Sequence, residues 1–198
     1  MSPDRHEFYM RMALREAQAA FDEEEVPAGC VIVRVDPAAS PPRPALIAKA
    51  HNQTERLKDP TAHAEILAIT QAAAAIGDWR LTHTILYVTK EPCAMCAGAI
   101  VLARIPTVVF GAPDPLRGGA VSVFNILNHP TLNHRCRVVH GVLEEDCRAM
   151  LQGFFREKRR AGDKPPARIP DARRSPPRRS EPSEAARLKR ARHADAAR

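Results

Sequence analysis

Pro60-Thr61-Ala62-His63-Ala64-Glu65-Ile66 is answered thirty residues later by Glu91-Pro92-Cys93-Ala94-Met95-Cys96. One imidazole and two thiolates at this separation fill three positions around a zinc ion, which favours such borderline and soft donors. A structural zinc closes its fourth position with a further Cys or His, and none stands beside either half of the pattern. A catalytic zinc keeps that position open for water. Glu65, two residues after His63, is not needed as a ligand and is therefore free to move protons.

Working outward from these two segments, the chain alternates strands and helices. Met10, Ala13, Leu14, Ala17, Ala20 and Phe21 recur at helical spacing, with Ser2 or Asp4 available as a cap. Cys30 to Val35 reads as a buried strand and Ala45 to Ala50 as its hairpin partner. A proline-rich surface loop, Asp36 to Pro44, lies between them. His51 to Pro60 is a polar connection, and His63 to Ile76 is an alanine-rich helix stopped by Gly77-Asp78. Thr84 to Thr89 is a strand, and a helix beginning at Pro92 carries Cys93 and Cys96. Two residues three apart on one helix have Cβ atoms about 5–6 Å apart. Thr107 to Phe110 and Arg137 to Val142 supply two more strands. Glu144 to Arg160 closes the fold as a helix with acids in its first turn and bases in its last, as the helix dipole favours. The pattern predicts an α/β sandwich around a mixed five-stranded sheet. The helix bearing the two Cys is apolar on nearly every side (Met95, Ala97, Ala99, Ile100, Val101, Leu102 and Ala103). Such a helix is buried on more than one side, which predicts a homodimer.

Charge divides the chain. Residues 163–198 carry 11 Lys and Arg against 5 Asp and Glu, whereas residues 1–162 carry 19 against 18. The last segment has no aromatic residue, and its large aliphatics are Ile169 and Leu188. Such a segment cannot bury enough surface to offset its ordering entropy. The sequence thus predicts a folded domain over 1–162 and a disordered basic Pro/Arg-rich tail over 163–198. The basic balance alone does not assign a nucleic-acid surface to the folded part. Cys30, Cys136 and Cys147 are scattered and read as unligated thiols, not as a disulfide framework. No apolar run reaches the ~20 residues a membrane helix requires, and the opening residues lack a signal-peptide core. A cytoplasmic protein without a membrane partner is expected.

His-x-Glu followed by Pro-Cys-x-x-Cys is the signature of zinc-dependent nucleobase deaminases. The run Asp59 to Glu65 and the run Leu86 to Ala99 together resemble the bacterial tRNA-specific adenosine deaminase family. Val108-Val109-Phe110-Gly111-Ala112 with Asp114, Asn128-His129-Pro130 with Asn133-His134, and Gly153-Phe154-Phe155-Arg156 extend the likeness over roughly residues 6–160. The resemblance implies a three-layer α/β/α cytidine deaminase-like sandwich and one zinc per subunit, held by His63, Cys93 and Cys96. It further implies Glu65 as proton shuttle and the anticodon loop of a tRNA as partner. The activity implied is hydrolytic deamination of the wobble adenosine to inosine.

The resemblance also carries substrate-binding roles, each beside a plainer one. Asn52 matches a base-contacting asparagine, or caps a turn. Backbone near Ala64 and Ala94 positions the purine. Asp114 matches a residue on the ribose side of the anticodon loop, or is a solvent-facing turn Asp between Pro113 and Pro115. Phe155 lies where the family brings its last helix near the RNA, whereas Phe154 reads better as core. His129 and His134 meet RNA, or serve the loop that holds them. Arg156, Lys158, Arg159 and Arg160 bind phosphates, or are solvated. Three features depart from the family: Lys90 stands where an apolar or small residue is usual, the proline-rich hairpin loop is long, and the tail lies beyond the family core. Two other functions compete: deamination of a free base or nucleotide of guanine or cytosine type, and a non-catalytic zinc module that binds nucleic acid. Glu65 argues against the second, since structural zinc requires no such carboxylate.

Overall fold

Period-two alternation along three strands decides where each helix packs. In β1 (Gly29–Val35), Cys30 and Ile32 point to one face of the sheet and Val31 and Val33 to the other. Leu86 and Val88 against Tyr87 do the same in β3 (Thr84–Lys90), as do Val108 and Phe110 against Val109 in β4 (Thr107–Ala112). Both faces of these strands are apolar, so both must be covered. The first set packs with Ala64, Ala68 and Ala72 of α3 (Ala64–Ile76) and with Ala97 and Ile100 of α4 (Ala94–Leu102). The second packs with Tyr9, Met10 and Ala13 of α1 (Pro3–Asp22) and with Cys147 of α5 (Glu144–Arg160). The result is the expected three-layer α/β/α sandwich. The computed structural model describes residues 3–36, 38 and 44–162; the tail and most of the proline-rich loop lie outside the described residues.

The sheet adds two edge strands, β2 (Pro44–His51) and β5 (Arg137–His140), in the order β2-β1-β3-β4-β5. β1 pairs antiparallel with β2 and β3, while β3, β4 and β5 run parallel, so the sheet is mixed as predicted. Pro44, which lacks a ladder donor, opens the edge strand β2, where its missing N–H is tolerated. Gly29 lets α1 approach closely: a Cβ there would overlap the Ala13 carbonyl oxygen and the backbone of Glu16 and Ala17.

Register places the carboxyl ends of β2, β3 and β4 on one edge of the sheet. His51 lies opposite Gly29, Val88 opposite Cys30, and Lys90 opposite Ala112. In open α/β sheets ligands bind outside the carboxyl ends of strands, and the segments leaving these three ends carry Asn52, Glu91-Pro92-Cys93 and Asp114. Two expectations need correction. The polar connection contains a short helix, α2 (Thr54–Leu57). Helix α4 begins at Ala94, not Pro92, so Cys93 is its N-cap and not a helical residue.

Candidate active site

Two helices aim their N-termini at one point. His63 is the N-cap of α3 and Cys93 the N-cap of α4, and neither side chain caps its own helix. Ser, Thr, Asp and Asn are the usual N-caps; here His and Cys occupy those positions and turn toward each other. His63 Nδ1 lies 3.7 Å from Cys93 Sγ and 3.5 Å from Cys96 Sγ. The donor atoms of the three residues all fall within 4.8 Å of one another. One imidazole nitrogen and two sulfurs at this spacing suit a tetrahedral cation with one position left open. The partial positive charge of two helix N-termini favours sulfur anions there.

The two thiols are pushed in opposite directions. Hydrogen bonding from Cys96 and from His63 holds Cys93 down to about 3 against the opposing effect of burial. The hydrogen bond to Cys93 and burial push Cys96 far up. A divalent cation removes this conflict, since a coordinating thiol is deprotonated outright. His63 is raised above its ordinary value by its hydrogen bond with Cys93; burial opposes this, and so does the positive charge of Lys90.

Glu65 lies in the first turn of α3 and is 5% exposed. Burial raises its pKa, against the lowering effects of a backbone hydrogen bond, His63 and a hydrogen bond with Cys96. A buried carboxyl with a raised pKa beside a ligand cluster is suited to general acid–base work near neutrality. Asn52 accepts, through Oδ1, the Ala64 N–H at 3.1 Å. It therefore supplies the α3 cap that His63 does not, and it stands buried beside Glu65's own turn.

Asp114 follows β4 and is nearly buried. Its Oδ1 accepts the amides of Leu116 and Arg117 at 3.1 and 3.2 Å, and its Oδ2 pairs with Lys90 Nζ at 2.5 Å. Burial raises the Asp114 carboxyl, but the Lys90 hydrogen bond and charge outweigh it and hold it low. Glu91 ties the loop after Asp114 to the ligand strand. Its carboxylate accepts the amides of Asp114, Ala120, Val121 and Ser122 at 2.8–3.2 Å, together with the Ser122 hydroxyl. Burial pushes this carboxyl up, yet those hydrogen bonds hold it below the usual range. Gly118 is required here, because a Cβ would overlap the Glu91 carboxylate. Gly119 N–H then donates to the Pro92 carbonyl at 2.7 Å, so residues 114–122 lie along Glu91-Pro92-Cys93.

Comparison with known proteins decides the family. Residues 4–159 match the model of the MafB19-like deaminase family. The tRNA-specific adenosine deaminase of Bacillus subtilis (strain 168) is 47% identical over 78% of this chain and 91% of that protein. The enzyme of the same name from Aquifex aeolicus (strain VF5) is 48% identical over 77% and 95%. The chain belongs to the tRNA-specific adenosine deaminase family. A solved deaminase from a study of A-to-I editing at the wobble position of transfer RNA is 40% identical. It has a TM-score of 0.66 and covers 72% of this chain and 98% of that one.

Against the roles expected of a tRNA-specific adenosine deaminase, the structure gathers His63, Cys93, Cys96, Glu65, Asn52 and Ala64 at one edge, with Ala94 exposed at the start of α4. Asp114 joins them through Lys90 and Glu91; it is a buried, bonded residue and not the solvent-facing turn Asp of the plainer reading. Phe154 packs edge-on against Phe21 in the interior, and Phe155 stands 45% exposed on α5, edge-on to Phe154, outside the hydrogen-bonded group. His129 Nδ1 meets the Thr131 hydroxyl of its own loop at 2.9 Å, whereas His134 Nε2 ties that loop to the Ile105 carbonyl, between α4 and β4, at 2.8 Å. Lys158 pairs with Glu24 at 3.1 Å.

Two buried carboxylates escaped the sequence reading. Glu91 was visible only as part of the Glu-Pro-Cys run. Glu25 accepts the Thr54 hydroxyl and the amides of Glu55 and Arg56, capping α2 from 29 to 31 residues away. The adjacent Gly118-Gly119 pair was the available signal of close packing around Glu91; nothing in Glu23-Glu24-Glu25 singles out the third.

Proposed function

We propose that the protein deaminates the wobble adenosine of tRNA to inosine, using one zinc per subunit held by His63, Cys93 and Cys96. The observation that carries this reading is the buried Glu65 carboxyl set against a one-imidazole, two-thiol cluster, in a chain so similar to tRNA-specific adenosine deaminases across nine-tenths of their length. A zinc ion held by these residues would supply Lewis acidity that activates the attacking water near neutrality. Glu65 accepts a proton from the attacking water and delivers it to the purine ring nitrogen. The water oxygen bonds to the carbon bearing the exocyclic amine. Glu65 then takes the proton of the added hydroxyl and passes it to the departing amine as the carbon–nitrogen bond breaks and the carbonyl forms, so that adenosine and water become inosine and ammonia. Asn52, fixed by the Ala64 amide, holds the entry turn of α3 and with it the carboxyl. The target base must leave its stack to reach these groups, and an anticodon loop offers it at lower cost than a duplex.

Ammonia release separates this reading from free-base deamination. An anticodon stem-loop with adenosine at the wobble position is expected to be turned over, with inosine formed at that position. Free adenine, guanine and cytosine are expected to be poor substrates. Faster release from guanine or cytosine would replace the tRNA assignment.

A homodimer is part of the proposal. Met95 and Leu102 on α4 are 37% and 70% exposed, and Val121, Val123 and Phe124 in the loop beside Cys93 are 52%, 45% and 51% exposed. These exposed apolar side chains, on and beside a helix that is apolar nearly all round, support pairing through this face. Light scattering at micromolar concentration is expected to give twice the 21.8 kDa chain mass; a monomer mass would reject the pairing. Residues 1–162 are assigned as the deaminase domain and 163–198 as a basic extension of it. Among the described residues no helix is long and apolar enough to cross a membrane, and a tRNA substrate fits a cytoplasmic enzyme.

A further inference from the structure

Lys90 is a charged residue where the family resemblance leads one to expect an apolar or small side chain, and the site geometry gives it a specific setting. It is the last residue of β3, separated from the ligand Cys93 by Glu91 and Pro92 alone. Its ammonium meets Asp114 Oδ2 at 2.5 Å, and its side chain remains 30% exposed while that of Asp114 is 7% exposed. The carboxylate is committed inward: its other oxygen accepts the Leu116 and Arg117 amides, and the Asp114 carbonyl accepts the Gly118 N–H at 2.9 Å. Asp114 therefore cannot turn toward a ligand without giving up these two part-buried amides and its bond to the Lys90 ammonium. An ammonium has three donors; Asp114 anchors the group and leaves donors at the surface. Fixing a lysine through a buried partner removes much of the rotamer entropy that a free lysine loses on binding. Of the two charges at this rim, the exposed one is positive.

We propose that Lys90, held in place by Asp114, is a substrate-recognition residue whose ammonium binds a backbone phosphate of the RNA beside the target nucleotide. This rests on the RNA-deaminase reading above, and it reverses the expected division of labour at the rim: Asp114 positions, and Lys90 makes the contact. Phosphate contacts fix register without reading sequence. Lys90 would therefore set how tightly an RNA is held beside the site, not which base is accepted.

The test uses the full-length, zinc-loaded protein and an anticodon stem-loop, with Kd and steady-state turnover each measured between 50 and 200 mM salt. Lys90→Met is expected to raise Kd and KM several-fold, with the effect on KM rather than kcat. It should also make the log–log salt dependence of binding shallower by about 0.7–1. Lys90→Arg should restore most of the affinity and the slope. Because Lys90→Met leaves Asp114 buried without its cation, the double variant Lys90→Met/Asp114→Asn is measured as well. It should recover thermal stability while keeping the shallower slope. If Lys90→Met leaves Kd and salt slope unchanged and lowers only stability or kcat, the pair is structural and the proposal is overturned. A wild-type protein that binds the stem-loop but does not deaminate it would refute the functional reading; the salt slope would still decide for or against the phosphate contact. A wild-type protein that does not bind the stem-loop would overturn both.

Discussion

Glu65→Gln is expected to cut turnover at saturating RNA by about 10⁴-fold or more, with zinc content and RNA affinity near normal. General acid–base catalysis typically contributes about 10²–10⁴-fold, and Glu65 would act at both attack and amine departure. The substitution is nearly isosteric. The position is 5% exposed in the first turn of α3. Burial raises the pKa of this carboxyl, so a neutral side chain of the same size is not penalised by that burial. What Gln cannot do is take up a proton and return it. Turnover and zinc content must be read together, because metal loss would mimic the kinetic defect. A Glu65→Gln protein with full zinc and more than about a tenth of normal turnover would be incompatible with a proton shuttle.

Chelation is expected to abolish activity and to lower Tm, with both restored by zinc. The reason is local. His63 and Cys93 each occupy the N-cap of a different helix, and neither caps its helix with its side chain. A cation held between them would tie α3 to α4. Binding to the folded state alone stabilises by about 4 kcal/mol when free metal exceeds Kd about 1,000-fold, or roughly 8–16 °C in Tm for a domain of this size. Differential scanning calorimetry with and without chelator measures it. Loss of activity with no change in Tm would mean that the chelated metal is not the one joining the two helices.

The sequence made the site's donors legible because their chemistry is local: His63, Glu65, Cys93 and Cys96 sit in short motifs with fixed spacing. The five strands were legible because short apolar runs bounded by turn residues mark them, although the last ends at His140 and not at Val142. α5 was read to its observed ends, since its acidic first turn and basic last turn announce both. What escaped depends on partners distant in sequence. α2 is four residues long and is capped by Glu25 from across the fold, so neither periodicity nor a local cap could reveal it. Cys93 was expected on the helix because Pro92 suits a first turn, yet its backbone is extended and the helix starts after it. The Glu91 clamp and the Lys90–Asp114 pair join β3 to a loop more than twenty residues later. Lys90 looked like a departure until its partner was in view.

The catalytic reading of the site stands on an open fourth position at the metal. X-ray absorption at the zinc edge on the purified protein measures it directly. One nitrogen and two sulfur donors from the protein, at about 2.0–2.1 and 2.3 Å, with a single light-atom donor from water, is the expected result. Four protein donors, or a second nitrogen in place of water, would close the site and contradict a hydrolytic role for it.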